Sequence, residues 1–117
     1  MHEYKKLIVW QESVKLVKEI YLTTKKFPSE EKFGLVSQIN RSAVSIASNI
    51  AEGAGRNTTG EFKNFLGNAN GSSYELETQL ILSNSLNYIT TDELKNLSLT
   101  IDKIQKMIYN LIKSFKK

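Results

Sequence analysis

Four stretches of the chain place apolar residues at alternating steps of three and four, the period of a helix with one buried face. The first runs Leu7, Trp10, Val14, Val17, Tyr21, Thr24, and the second Val36, Ile39, Ala43, Ile46, Ile50. The third runs Phe62, Leu66, Ala69, Ser73, Leu76, Leu80, and the fourth Leu94, Leu97, Ile101, Ile104, Ile108, Leu111, Phe115. None alternates with the two-residue period of a strand. The punctuation fits: the only proline, Pro28, closes the first stretch, and Ser29 is a residue type that caps a following helix. Gly53 and Gly55 relax the end of the second. Thr58 with Glu61, and Thr90 with Glu93, have capping-box spacing and open the third and fourth. The expected helices span residues 7–26, 30–53, 59–87 and 91–115 of a single domain, 1–117. Short links between helices of this length predict an all-α, antiparallel up-down-up-down four-helix bundle.

The backs of the four helices differ. The fourth has one clean stripe and a charged reverse face. The second carries a further strip of small apolar residues, Val44, Ala47, Ala51 and Ala54, with Ser37, Ser42, Ser45, Ser48 and Asn49 around it. A helix so weakly polar all round is buried on two sides, by its own bundle and by a neighbouring subunit. In the third helix Gly67 and Gly71 let another backbone approach, at about 1 kcal/mol each relative to Ala. Packing inside one bundle and contact between subunits both account for them. Asn49, Glu52 and Arg56 recur at helical spacing near the end of the second helix, where Glu52 can pair with Arg41 or Arg56.

Composition narrows the classes. The chain has 117 residues, 40% of them hydrophobic, and no cysteine, which removes disulfides and thiolate metal sites. The apolar run Leu7–Trp10 is too short for a signal-peptide core, and no segment is long enough to span a bilayer, so the expected location is the cytoplasm, without membrane contact. The net charge of +4 is unevenly spread. Residues 1–28 carry six lysines against three glutamates, and residues 91–117 six lysines against three acids, while residues 58–90 are net negative. Such asymmetry suits a polyanion partner or a solvated lysine-rich surface.

Catalytic chemistry is missing. The only histidine, His2, lies in an N-terminus expected to fray, so neither a carboxylate–histidine metal site nor a histidine-based triad can be assembled. Glu75 and Glu77 point to different sides of a helix and are read as salt-bridging residues. The stretch Gly53–Gly60 has neither the preceding strand nor the Gly-Lys-Ser/Thr ending of an NTPase loop. It is read as a turn with an exposed Arg56, although it leads into a helix N-terminus, which favours anions. No enzyme activity, cofactor or metal is expected.

The run from Gln38 to Arg56, QINRSAVSIASNIAEGAGR, resembles the signature of a four-helix-bundle family encoded by intervening sequences in bacterial 23S rRNA genes. Glu61-Phe62, Phe65-Leu66, Gly71-Ser72 and Glu75-Leu76-Glu77-Thr78-Gln79-Leu80 are similar as well, as are Trp10 and the stretch from Tyr21 to Phe27-Pro28. The similarity covers nearly the whole chain. One departure is Asn40-Arg41, where the family often carries two adjacent basic residues. The resemblance implies bundles that assemble into a ring, typically a homopentamer. It also points to a relative of similar fold, the accessory variability protein of diversity-generating retroelements, which is linked to RNA and to a reverse transcriptase through basic surfaces.

Two functions follow as expectations. In the first, a homo-oligomer binds nucleic acid, RNA before DNA, without base readout. Lys15, Lys18, Lys25, Lys26, Lys103, Lys106 and Lys113 contact phosphates, with Lys5, Lys6, Lys116 and Lys117 beside them. In the second, the oligomer is an adaptor for a protein partner, such as a reverse transcriptase by analogy, and binds no nucleic acid. In both, Arg41, Val44, Ala47, Asn49, Ala51, Glu52, Arg56, Gly71 and Glu75 serve the subunit interface or the structure.

Overall fold

The computed structural model describes residues 2–115. Four helices, α1 (Ile8–Thr24), α2 (Leu35–Ala54), α3 (Thr59–Ser85) and α4 (Thr91–Ser114), make up the fold, and the described residues contain no strand. Each helix packs on its neighbours in the chain, and α1 also packs on α4, which closes the arrangement. The body is elongated, 46 × 23 × 20 Å. One end gathers residues from the start of the chain, the end of α2 and both the start of α3 and the end of α4. There the His2 N–H donates to Ala54 O at 2.8 Å, and the rings of His2, Phe62 and Phe115 pack at 5.1–5.9 Å between centroids. His2 is therefore docked, not frayed as its terminal position suggested. The opposite end joins Phe27 to Tyr88, Glu31 to Tyr88, and Lys26 to Glu93.

The core stripes of the last three helices are those the spacing predicts. Ile39, Ala43, Ile46 and Ile50 of α2 are buried, as are Phe62, Leu66, Ala69, Ser73, Leu76 and Leu80 of α3, and Leu97, Ile101, Ile104 and Ile108 of α4. In α1 the stripe is displaced. Val9, Ser13, Leu16, Ile20 and Thr24 are buried, whereas Val14 and Tyr21 remain 42% and 47% exposed. Ser13 enters the core because its hydroxyl donates to Val9 O at 2.7 Å, so no polar group is left unsatisfied. Thr24 is satisfied likewise, by Tyr21 O and by Asn40 Oδ1 at 3.0 Å.

The helix starts also differ from expectation. Residues Ser29–Glu31 form a separate 3-10 turn, and α2 begins at Leu35 instead of residue 30. Ser29 makes no side-chain cap. Glu31 takes that role: its Oε1 accepts from Leu35 N–H at 3.2 Å and its Oε2 from the Tyr88 hydroxyl at 3.0 Å. Thr90 and Glu93 form a complete capping box on α4. Thr58 caps α3 by accepting from Glu61 N–H at 3.1 Å, but Glu61 returns to the Thr58 hydroxyl, not to its backbone. At the far end of α3, Asn87 adopts φ 65°, and the N–H groups of Asn87 and Tyr88 bond to Asn84 O and Ser83 O. This is a Schellman ending with asparagine, tolerant of the left-handed region, in the glycine position.

Gly53 is the glycine that the fold requires. It lies inside α2, and a Cβ there would stand 2.6 Å from Phe65 Cβ and 3.0 Å from Phe62 Cδ1. Its absence of a side chain lets α2 and α3 close on each other at this level. Gly67 and Gly71 are the opposite case: beyond their own helix backbone and chain neighbours, none of the described residues comes within 4 Å of an added Cβ. Close packing inside this bundle does not account for them.

Candidate nucleic-acid interface

The lysine-rich first and last helices lie side by side. Glu12 of α1 is held between Lys15 on its own helix and Lys103 on α4, each at 3.6 Å. At one end of the molecule Lys26, just after α1, pairs with Glu93 in the first turn of α4. That carboxyl is held below its ordinary range, first by the Lys26 ammonium and then by the Thr90 backbone N–H.

On α4, Lys95, Asp102, Lys106, Tyr109 and Lys113 follow one another at steps of seven, four, three and four, which puts them on one outward stripe. Lys106 pairs with Asp102 at 3.3 Å, and the Lys113 ammonium lies 5.6 Å from the Tyr109 ring centroid. Lys18, Lys25 and Lys113 are exposed and make no ion pair among the described residues. Of the predicted phosphate contacts, Lys15 and Lys103 thus meet through Glu12 where α1 lies against α4, and Lys26 meets Glu93 at one end, whereas Lys106 lies on the α3 side of α4 and Lys113 beside Tyr109; Lys18 and Lys25 stand exposed on α1 and just after it. Lys6 pairs with Glu3 at 3.6 Å in the turn before α1, while Lys116 and Lys117 lie outside the described residues. Lys95 was not singled out from the sequence, although its step of eleven to Lys106 marks the same stripe.

A second surface is apolar. Trp10, Val14, Val17 and Tyr21 of α1 form a strip, and Val44, Ala47 and Ala51 of α2 form another; Ala54, expected on the α2 strip, is instead buried in the core. Thr24 continues the first strip and Asn40 begins the second, and the hydrogen bond between them sets both on the same interhelical groove. Asn40, the departure from the basic pair, therefore joins α1 to α2. Val44 is exposed, and Ala47 and Ala51 are half-buried.

The polar residues near the end of α2 divide. Asn49 donates to Ser45 O at 2.8 Å and to Ser45 Oγ at 3.0 Å, and Ser45 Oγ meets Ser72 Oγ of α3 at 2.9 Å. Glu52 pairs with Arg56 at 2.9 Å, and that guanidinium lies 4.7 Å from the Phe65 ring centroid. Arg41 and Glu75 are exposed and make no ion pair among the described residues, and Gly71 faces open space. These residues stay distributed over α2 and α3 and do not converge on one site. No group of three His, Cys, Asp or Glu able to hold a metal is found among the described residues. Among them no helix is long and apolar enough to cross a membrane.

The family model described as 23S rRNA-intervening sequence protein matches residues 5–110. The chain belongs to this family. A solved member-like structure supports the fold: a protein of unknown function from the S23 ribosomal protein family of Bacteroides thetaiotaomicron superposes with a TM-score of 0.84 at 29% identity, over 91% of this chain and 99% of that one. No curated protein matches. The run from Gln38 to Arg56 lies within α2 and the turn after it. It thus holds Gly53 against α3, Asn40 against α1, and the Glu52–Arg56 pair.

Proposed function

We propose that this intervening-sequence protein is a self-assembling single-domain bundle whose α1–α4 surface binds the phosphate backbone of nucleic acid, RNA in the first place. The observation that carries this reading is the pair of contacts, Glu12 with Lys103 and Lys26 with Glu93, through which the two lysine-rich segments touch. The two clusters of end contacts support an antiparallel up-down-up-down course. The paired acids Glu12, Glu93 and Asp102 dilute the positive field, so contact per subunit is weak and assembly must multiply it. The exposed strip of α1 and α2 and the open glycines of α3 support self-association, for which a five-subunit ring is the assembly proposed. The site is cytoplasmic in this reading, and no catalytic role is assigned.

Charge reversal of Lys15, Lys18, Lys103 and Lys106 to Glu tests it. A gel-shift titration at low salt should lose all retention of RNA while circular dichroism stays helical. Unchanged retention would remove the α1–α4 surface from the account, and no retention by the unaltered protein would favour the adaptor function instead.

A further inference from the structure

Between α3 and α4 runs an open groove of ≈ 430 Å³, lined by Asn70, Tyr74, Asp102, Gln105, Lys106 and Tyr109 among others. That volume falls within the about 300–1,000 Å³ of ligand clefts. Two tyrosines, one from each helix, flank it with 54% and 62% of their surface exposed. Neither is needed by the core, and neither ring is stacked on another aromatic among the described residues. Lys113 lies over Tyr109, so an ammonium stands next to an exposed aromatic face. Lys106 stands on the same rim, and its pairing with Asp102 keeps that carboxylate from facing the groove unopposed. In the wall, Asn70 Oδ1 is buried and accepts no hydrogen bond. Gln105 is fixed by donating to Ser73 Oγ at 3.0 Å.

Exposed rings with cations beside them are what unpaired nucleobases use: the bases stack on the rings and the phosphates meet the lysines. We infer that the α3–α4 groove is a stacking site for the unpaired bases of a single strand, with Tyr74 and Tyr109 as platforms and Lys106 and Lys113 as phosphate contacts. This rests on the nucleic-acid function proposed above and deepens it. Lys103, which pairs with Glu12 of α1, stands three residues from Lys106 on the rim of this groove, so one strand can lay its backbone along α4 and turn its bases toward α3. A duplex keeps its bases stacked and can use only the lysines. The site therefore prefers single strands, where a purely basic surface does not.

The test is fluorescence anisotropy at low salt with labelled oligo(A) RNA of about a dozen nucleotides, a span that fits known single-strand site sizes, the matching oligo(dA), and an RNA duplex. Replacing Tyr74 and Tyr109 together by Ala should weaken single-strand binding by about fivefold or more for each ring removed. Duplex binding and circular dichroism should stay unchanged, and Tyr74→Phe with Tyr109→Phe should retain wild-type affinity. The RNA and DNA arms show which sugar the strand carries, and selective loss of either in the Ala pair supports the groove. Single-strand binding unaffected by the Ala pair, with duplex binding intact, would overturn the groove and leave the basic surface standing. A parallel loss on duplex would overturn it too. No binding by the wild-type protein would end both proposals.

Discussion

The buried residues of α2, Ile39, Ala43, Ile46 and Ile50, and those of α4, Leu97, Ile101, Ile104 and Ile108, follow similar steps of three and four and meet in one core. Their outer faces differ. α2 shows Val44, Ala47 and Ala51 beside serines and asparagines, and its exposed acid Glu52 is paired with Arg56. α4 shows Lys95, Lys106 and Lys113, with Asp102 as the single acid on that stripe. The buried stripe makes each helix part of the bundle; the opposite face decides what the bundle meets. A small apolar face loses little on leaving water and suits a second protein surface. A lysine stripe keeps its hydration and suits a polyanion.

Substitutions that place one character on the other face give the largest expected effect. Ala47→Glu or Ala51→Glu would bury an unpaired carboxylate wherever the α1–α2 strip contacts another subunit, at about 3–5 kcal/mol. Sedimentation velocity should then show the assembly falling to monomers with helical content preserved. Full assembly of both variants would put the contact elsewhere.

Gly53→Ala tests the join between α2 and the rest of the bundle. The added Cβ meets the Cβ of Phe65, which cannot swing away, so α2 and α3 must separate slightly; overpacking of this kind costs about 1–3 kcal/mol. A clear drop in melting temperature is expected, and an unchanged one would contradict the close approach.

Gly71→Ala should act in the opposite direction. Its backbone φ is not positive and its surroundings are open, so alanine should stabilise α3 by up to about 1 kcal/mol. If thermal stability rises but the oligomer weakens, the open glycine face is a subunit contact; if both are unchanged or improved, it is free surface.

The smallest effect concerns pH. The folded Glu93 carboxyl titrates below its ordinary range, so the stability it lends is present above that range and is lost as pH falls through the folded value. The pair with Lys26 is solvent-exposed, which limits it to below about 1 kcal/mol. Melting temperatures of wild type and Glu93→Gln should differ at neutral pH and converge in acid.

The stripes of α2, α3 and α4 were legible because their steps of three and four run unbroken along each helix, with Ser73 the one polar residue in them. The α1 stripe was not, because Ser13 stands between Val9 and Leu16 and enters the core by bonding to Val9 O, a compensation that hydrophobic spacing does not register; of the positions expected in the stripe Thr24 is buried. Gly53 read as a helix-end glycine because the demand on it comes from Phe65, twelve residues on and on another helix. For the site, the lysines were visible as a composition bias, but Glu12 between Lys15 and Lys103 was not, since it depends on α1 lying against α4. Tyr74 and Tyr109 carry no signal on their own; only the docking of α3 on α4 puts them on one groove.

The central claim, that the α4-centred face binds nucleic acid through phosphate contacts, is tested most directly by titrating labelled single-stranded RNA against the protein over a series of salt concentrations. The account predicts measurable binding at low salt that weakens steeply, with a log–log slope of about −0.7 for each phosphate neutralised and several phosphates per assembly. A flat salt dependence, or no binding at the lowest salt, would contradict it.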